Sequence, residues 1–519
     1  MADGKVAGDA GESAEERIAV DMIGRGIGIV FGRMLFVAVS VCICRSALGQ
    51  LAVTPSQGEK EQSAWLARFE EKRSLAAKGG YDIVFLGDSI TQGWETEGAK
   101  VWAANFAEGY YRALNCGISG DRTEHLLWRL QNGQLANLSP KVFVLMIGTN
   151  NNGHRDVVSE PPVDIILGVR SILACLRKMY PSAKVILHPI FPRGVTIDDP
   201  CRMRNDVVNS AIKRFANGKR VIWCGFNGRF LSSKGVLGKR MAKDSLHIGE
   251  AGYAIWAEEL KPFLDYALGR VKSRPKSTAP RTPTALSRRG PAATIPDVNL
   301  FWLNNPSTNI QARIRDKRAE YCANAERCYD AIMIGDSITH FWDRKVRADA
   351  FNEMFRGYRV FNAGFAGDTT QNALWNILYG GFLDGVSARI VTLLIGTNNV
   401  WHDTPEDIAA GVKACVEAIR KKQPQAKLLL MPLLPREVVH KRNGKDYARK
   451  KGEMVMPKIL KVNELIRPLA DGVNVVWFDI AKRFVDAEGL PDVALLPDGT
   501  HPGPDGYRIW ADAMLPYLK

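Results

Sequence analysis

Two serines, two histidines, two aspartates and two sets of glycine and asparagine recur in the same order along this chain, and together they could carry out acyl transfer. Ser89 and Ser337 each sit in Gly-Asp-Ser-Ile-Thr directly after an apolar run. Taken alone, that motif reads equally as a turn whose Asp and Ser cap the next helix. A serine there is also well placed as a nucleophile, with its own N–H at a helix start facing a developing oxyanion. Gly120 and Gly367, each in Gly-Asp, read as positive-φ turns or as second oxyanion donors whose missing side chain leaves the carbonyl room to approach. Asn150 and Asn398, in Gly-Thr-Asn-Asn, are turn residues or the third donor through the amide NH₂. Asp244-Ser-Leu-His247 and Asp498-Gly-Thr-His501 offer the base: a serine hydroxyl needs one at neutral pH, and a carboxylate three residues earlier can fix the imidazole tautomer. Each motif is ambiguous singly; four in one order, twice over, are not.

Those groups need a scaffold that gathers loops at one edge. In the first copy short apolar runs (82–86, 112–115, 142–147, 184–189 and 220–224) alternate with amphipathic stretches such as 163–179 and 206–216. Continuous apolar strands separated by helices predict a buried parallel sheet covered on both faces, with functional loops at the carboxyl ends of the strands. The same blocks return in the second copy, so the chain is a tandem duplication. The predicted domains are 60–268 and 298–519, joined by a linker at 270–297 that is rich in Pro, Ser, Thr, Ala and Arg. No Gly-x-Ser-x-Gly elbow occurs, which excludes the α/β-hydrolase arrangement.

These blocks resemble the SGNH (GDSL-type) hydrolase superfamily. Within it they are most similar to the catalytic subunits of platelet-activating-factor acetylhydrolase, through Asn115-Cys-Gly-Ile-Ser-Gly-Asp-Arg-Thr-Glu-His-Leu-Leu-Trp-Arg-Leu, Gly148-Thr-Asn-Asn and Leu433-Leu-Pro-Arg. The resemblance implies two flavodoxin-like three-layer α/β/α domains with parallel five-stranded sheets, and ester hydrolysis through a Ser-acyl intermediate without metal or cofactor. It implies Ser89 and Ser337 as nucleophiles, Asp244–His247 and Asp498–His501 as acid–base pairs, and Gly120, Asn150, Gly367 and Asn398 as oxyanion donors.

For the substrate, short acyl chains are expected, since neither copy carries a long apolar insertion that could form a lipid lid. The alcohol is read as carbohydrate, with an O-acetylated glycan or other small ester as partner. Trp94 and Trp342, five residues after each serine, could stack on a sugar or pack in the core. His154 and His402, beyond the Asn motifs, are placed as pocket-lining candidates. The basic loop 436–451 of the second copy reads as a solvated loop or as a rim that attracts an anionic substrate such as a uronic-acid-containing glycan. The rival readings are a lysophospholipase-like or acetylhydrolase-like lipid esterase, and a non-catalytic binder of anionic polymers.

Charge and leader complete the picture. The net charge of +15 raises nucleic acid as a partner, but the linker stretch from Arg270 to Pro296 alone holds seven Lys/Arg and no acid, so no nucleic-acid role is expected. Arg33, the apolar run 34–44 and Ser46-Ala47-Leu48-Gly49 read as a secretory signal within residues 1–50, with an uncleaved anchor as the alternative and the only route to membrane contact. Export to the periplasm or beyond the cell follows from that reading. Of nine cysteines none forms a zinc spacing; Cys322 and Cys328 could pair, and free buried thiols are the default.

Overall fold

Strand β1 (Ile83–Gly87) is buried along its whole length and lies between β2 (Ala113–Gly117) and β3 (Val142–Met146), both parallel to it. Strands β4 (Lys184–Leu187) and β5 (Val221–Trp223) extend the sheet in the order β2-β1-β3-β4-β5. The second copy repeats this order with β6 (Cys328–Gly335), β7 (Val360–Gly364), β8 (Ser387–Leu394), β9 (Lys427–Leu430) and, after a two-residue hairpin of β10 (Lys441–Arg442) and β11 (Lys445–Asp446), β12 (Val475–Trp477). Strands adjacent in space but not in sequence require crossovers, and helices supply them. This is the doubly wound five-stranded order in which ligands bind at the carboxyl edge, where the direction of winding reverses beside the first strand.

Alternate strand residues feed opposite faces of the first sheet. Val84 and Leu86 join Leu126, Ile165 and Val208 on one side, while Ile83 and Phe85 join Tyr253, Trp256 and Leu260 on the other. The helices that cover the faces are α3 (Thr123–Gln131), α4 (Pro162–Met179), α5 (Pro200–Ile212) and α6 (Glu250–Ala267), preceded by α1 (Gln62–Ala77) and the single turn α2 (Ser89–Gln92). In the second copy α7 (Asn309–Ala323), α8 (Ser337–His340), α9 (Thr370–Tyr379), α10 (Pro405–Lys422), α11 (Val455–Ile466) and α12 (Pro504–Leu518) take the same places. Proline at the first turn of α4, α5, α10 and α12 removes a donor that would have no helical partner.

This computed structural model describes residues 52–519 except 53, 59–61, 108–109, 154–159, 277–279, 281–291, 295, 298, 300–308, 325, 345–347, 437–440, 443–444, 447–454, 488 and 490. The leader at 1–50, the middle of the linker, His154 and most of the basic loop 436–451 therefore lie outside the described residues. Among the described residues no helix is long and apolar enough to cross a membrane.

The packed part of each copy starts earlier than the sequence blocks suggest. Ala52 and Ala293 are fully buried, and their carbonyls accept from Thr123 Oγ1 at 2.8 Å and Thr370 Oγ1 at 3.0 Å. The end of the basic linker is thus a component of the second domain, because a small residue there fills the gap over the start of a crossover helix. The copies also touch: Arg318 of α7 and Asp164 of α4 form an ion pair at 3.0 Å. Cys328 is a free thiol, so the bridge to Cys322 is not made.

Candidate active sites

Each nucleophile candidate lies two residues past the end of its strand, and a glycine makes that position possible. A side chain on Gly87 would strike Thr91 and the Met146 carbonyl, and one on Gly335 would strike Thr339. The chain turns tightly there, and Asp88 and Asp336 hold the turn by accepting the N–H of Ile90 at 3.0 Å and of Ile338 at 2.9 Å. Burial pushes both aspartates up to about 7.

The structure brings the candidates of each copy together. Ser89 Oγ lies 2.9 Å from His247 Nε2, and His247 Nδ1 lies 2.6 Å from Asp244 Oδ2. In the second copy the same distances are 2.8 Å for Ser337–His501 and 2.7 Å for His501–Asp498. Burial raises Asp244, but bonds from the His247 ring and from the backbone N–H groups of His247 and Leu246 outweigh it and hold the carboxyl below its usual range. Asp498 is lowered in the same way, by the backbone and ring of His501 against burial. An ionised carboxylate on Nδ1 fixes the tautomer that leaves Nε2 free to take the serine proton.

The turn that carries each aspartate needs one left-handed residue. Gly499 supplies it at φ 73° in the second copy, whereas Ser245 is held there at φ 61° in the first. Gly120 and Gly367 are also left-handed, at φ 80° and 81°, and neither N–H donates to another protein group among the described residues. Asn150 Nδ2 donates to the Asp121 carbonyl at 2.9 Å, and Asn398 Nδ2 to the Asp368 carbonyl at 2.9 Å.

Several placements differ from expectation or add to it. Trp94 and Trp342 do not line the sites: both are almost wholly buried, Trp94 against Tyr253 and Trp256, and Trp342 against Tyr507 and Trp510. No ring face is left for a sugar, because the last helix of each copy lays two aromatic residues over the indole. His402 is exposed at the end of the one-turn helix Asn399–Trp401 and bonds to no catalytic candidate. Arg193 and Arg436, in repeated Pro-Arg pairs, were not singled out from sequence as site residues; each guanidinium ties down the asparagine loop through Thr149 O and Thr397 O at 2.9 Å. Gln92 and His340 play a similar part, accepting the N–H of Ser119 at 2.7 Å and of Ala366 at 3.1 Å just before the oxyanion glycines. Among the described residues no group of three or more His, Cys, Asp or Glu could hold a metal ion.

A serine–histidine–aspartate chain beside a glycine N–H and an asparagine amide, at the carboxyl edge of a doubly wound sheet, defines a serine ester hydrolase. The chain belongs to the GDSL-like lipase/acylhydrolase family, whose model matches residues 85–255 and again 333–509. It is 31% identical over 202 residues to the platelet-activating factor acetylhydrolase IB subunit alpha1 of Pongo abelii, covering 39% of this chain and 83% of that protein. It is 36% identical over 201 residues to the alpha2 subunit of Rattus norvegicus, covering 38% of this chain and 82% of that one. Similar solved structures include a GDSL-like lipase of Bacteroides thetaiotaomicron (19% identity, 40% of this chain, 98% of that one, TM-score 0.32). An acetyl xylan esterase (19% identity, 34% and 97%, TM-score 0.29) is another.

Proposed function

We propose that both copies are active esterases that remove acetyl groups, with Ser89 and Ser337 as nucleophiles. The observation that carries this reading is the unbroken Ser–His–Asp chain in each copy, with a free glycine N–H and an anchored asparagine beside it. His247 or His501 takes the serine proton as Oγ attacks the ester carbonyl. The glycine N–H, the serine N–H and the asparagine amide receive the oxyanion. The imidazolium then gives its proton to the departing alcohol, and water repeats the cycle on the acyl-enzyme. The acetyl preference is supported by the acetylhydrolase relatives and by the lack of a long apolar insertion.

For the alcohol, the proposed substrate is O-acetylated carbohydrate, supported by the signal-like residues 33–49, which would export the enzyme to where such polymers are found. The name of the relatives favours a second reading, an acetylated phospholipid. Hydrolysis of a p-nitrophenyl acyl series by wild type, Ser89→Ala, Ser337→Ala and the double variant tests the chemistry. Activity must peak at acetate and vanish in the double variant. Acetate release from acetylated xylan, set against release from an acetyl-glycerophospholipid vesicle, then decides the alcohol.

A further inference from the structure

The two sites share their catalytic geometry but not their rims. After each serine turn the chain reads Gly93-Trp-Glu-Thr-Glu97 in the first copy and Phe341-Trp-Asp-Arg344 in the second. Phe341 lays its ring on the catalytic His501, with centroids 4.7 Å apart and planes 34° from parallel. Above that ring sits the Arg344 guanidinium, 4.0 Å from its centroid. Asp343, its neighbour in the chain, is already engaged by Arg313 at 2.8 Å and Lys317 at 2.6 Å. The first copy has no ring here. Glu97 instead brings its carboxylate to 3.6 Å from where a side chain on Gly93 would begin, with Thr96 Oγ1 donating to it, and it lies within the field of His247 and Asp244.

A second aromatic–arginine pair occurs in the asparagine loop of the second copy. Trp401, still 41% exposed, follows the oxyanion asparagine of the second copy, and Arg436 lies 5.3 Å from its ring centroid. The first copy has Gly153 at that position. The second site thus carries two exposed or half-exposed rings where the first has two glycines and a glutamate; Arg436 has its counterpart in Arg193, which lies beside Gly153 and makes the same bond to its asparagine loop, so the difference in charge rests on Arg344 and Glu97. The second site's histidine is correspondingly more covered, 24% exposed against 42% for His247. Arg436 is committed to Thr397, whereas Arg344, stacked on Phe341, can turn its in-plane N–H groups to an anion, and the ring lowers the local dielectric that screens it.

We infer that the two sites divide substrates by charge: the second selects esters that carry an anionic group beside the scissile bond, and the first selects uncharged or cationic ones. This builds on the esterase reading and adds the substrate class of each site. Arg344 and Glu97 are the residues that set the difference.

The test uses the full chain with one serine removed at a time. Ser89→Ala leaves the second site and Ser337→Ala the first. Each is given 4-acetoxybenzoate, its neutral methyl ester and the cationic (4-acetoxyphenyl)trimethylammonium. Because both sites meet the same esters, intrinsic reactivity cancels when the anionic-to-neutral ratio of kcat/KM is compared between them. The expected ratio is about fivefold higher at the second site at low ionic strength and falls with added salt. Arg344→Gln in the Ser89→Ala background lowers it, and Glu97→Gln in the Ser337→Ala background raises the first site's ratio. Equal ratios at the two sites overturn the inference, as does a second-site ratio that Arg344→Gln leaves unchanged. Failure of both single-serine variants to cleave even the neutral ester overturns the esterase reading and this inference with it.

Discussion

Asn150 Nδ2 lies 2.9 Å from the Asp121 carbonyl, so one amide hydrogen is committed to the neighbouring loop while the other is left for an incoming oxyanion. Because the donor is anchored before substrate arrives, it needs no reorganisation during attack. With Ser337→Ala silencing the second site, Asn150→Ala is expected to lower kcat about 10²–10³-fold with little change in thermal stability. A kcat within twofold of the parent contradicts the assignment.

Gly120 has open space around a hypothetical Cβ, with nothing within 4 Å, yet its φ of 80° is costly for alanine. Gly120→Ala should destabilise the fold by about 1 kcal/mol, while placing a methyl group at the oxyanion and slowing turnover far more than that. Urea midpoints and single-site kinetics on the same sample separate the two effects.

His340 accepts the Ala366 N–H through Nδ1, and burial, with Arg313 and Arg344 nearby, pushes its pKa down to about 2. A neutral acceptor is what the loop requires, and Gln92 provides one in the first copy. His340→Gln should therefore retain most second-site kcat, whereas His340→Ala should lower it about tenfold through a loosened glycine loop. Equal effects of the two variants on kcat would argue against a positioning role.

His188 gives the cleanest acid dependence. Its Nδ1 bonds to the Cys224 carbonyl at 2.8 Å and its Nε2 accepts Trp256 Nε1 at 3.1 Å, so the buried ring is neutral, and burial lowers its pKa from 6.5 to about 4. The unfolded chain binds the proton first, so this contribution is complete above pH 6.5 and is lost as pH falls toward 4, about 3 kcal/mol over that window. Met431 holds the equivalent place in the second copy. In His188→Met, Tm should fall less steeply between pH 6.5 and 4 than in wild type.

Arg318 and Asp164 join the two copies with both side chains only 4% exposed. Removing one partner strands a buried charge, so Asp164→Ala should cost about 3–5 kcal/mol, while a paired replacement such as Asp164→Leu with Arg318→Met should recover most of it. Urea denaturation of wild type, Asp164→Leu, Arg318→Met and the double variant, read as a double-mutant cycle, measures the coupling.

Much of the fold was legible because buried parallel strands need unbroken apolar runs. The runs 142–147 and 184–189 became Val142–Met146 and Lys184–Leu187, each ending where a loop had to begin. The amphipathic stretch 163–179 is the helix Pro162–Met179. The stretch 206–216 starts earlier, at Pro200, because Asp199 caps it through the N–H groups of Cys201 and Arg202, a local signal that apolar periodicity does not weigh.

The chemistry-bearing residues could be chosen from sequence because acyl transfer restricts which side chains can serve, and the duplication presented the same choice twice. The alternation of apolar runs likewise determined the sheet and its carboxyl edge. Tertiary structure alone decided which faces meet solvent. Trp94 and Trp342 stand five residues from a nucleophile and still belong to the core, since α6 and α12 close over them from more than 150 residues away. Phe341 and Trp401, no more apolar, stay partly exposed because they are not enclosed by the last helix as Trp342 is. Burial is a property of what packs from elsewhere in the chain, and so the character of each rim emerged only when the helices were in place.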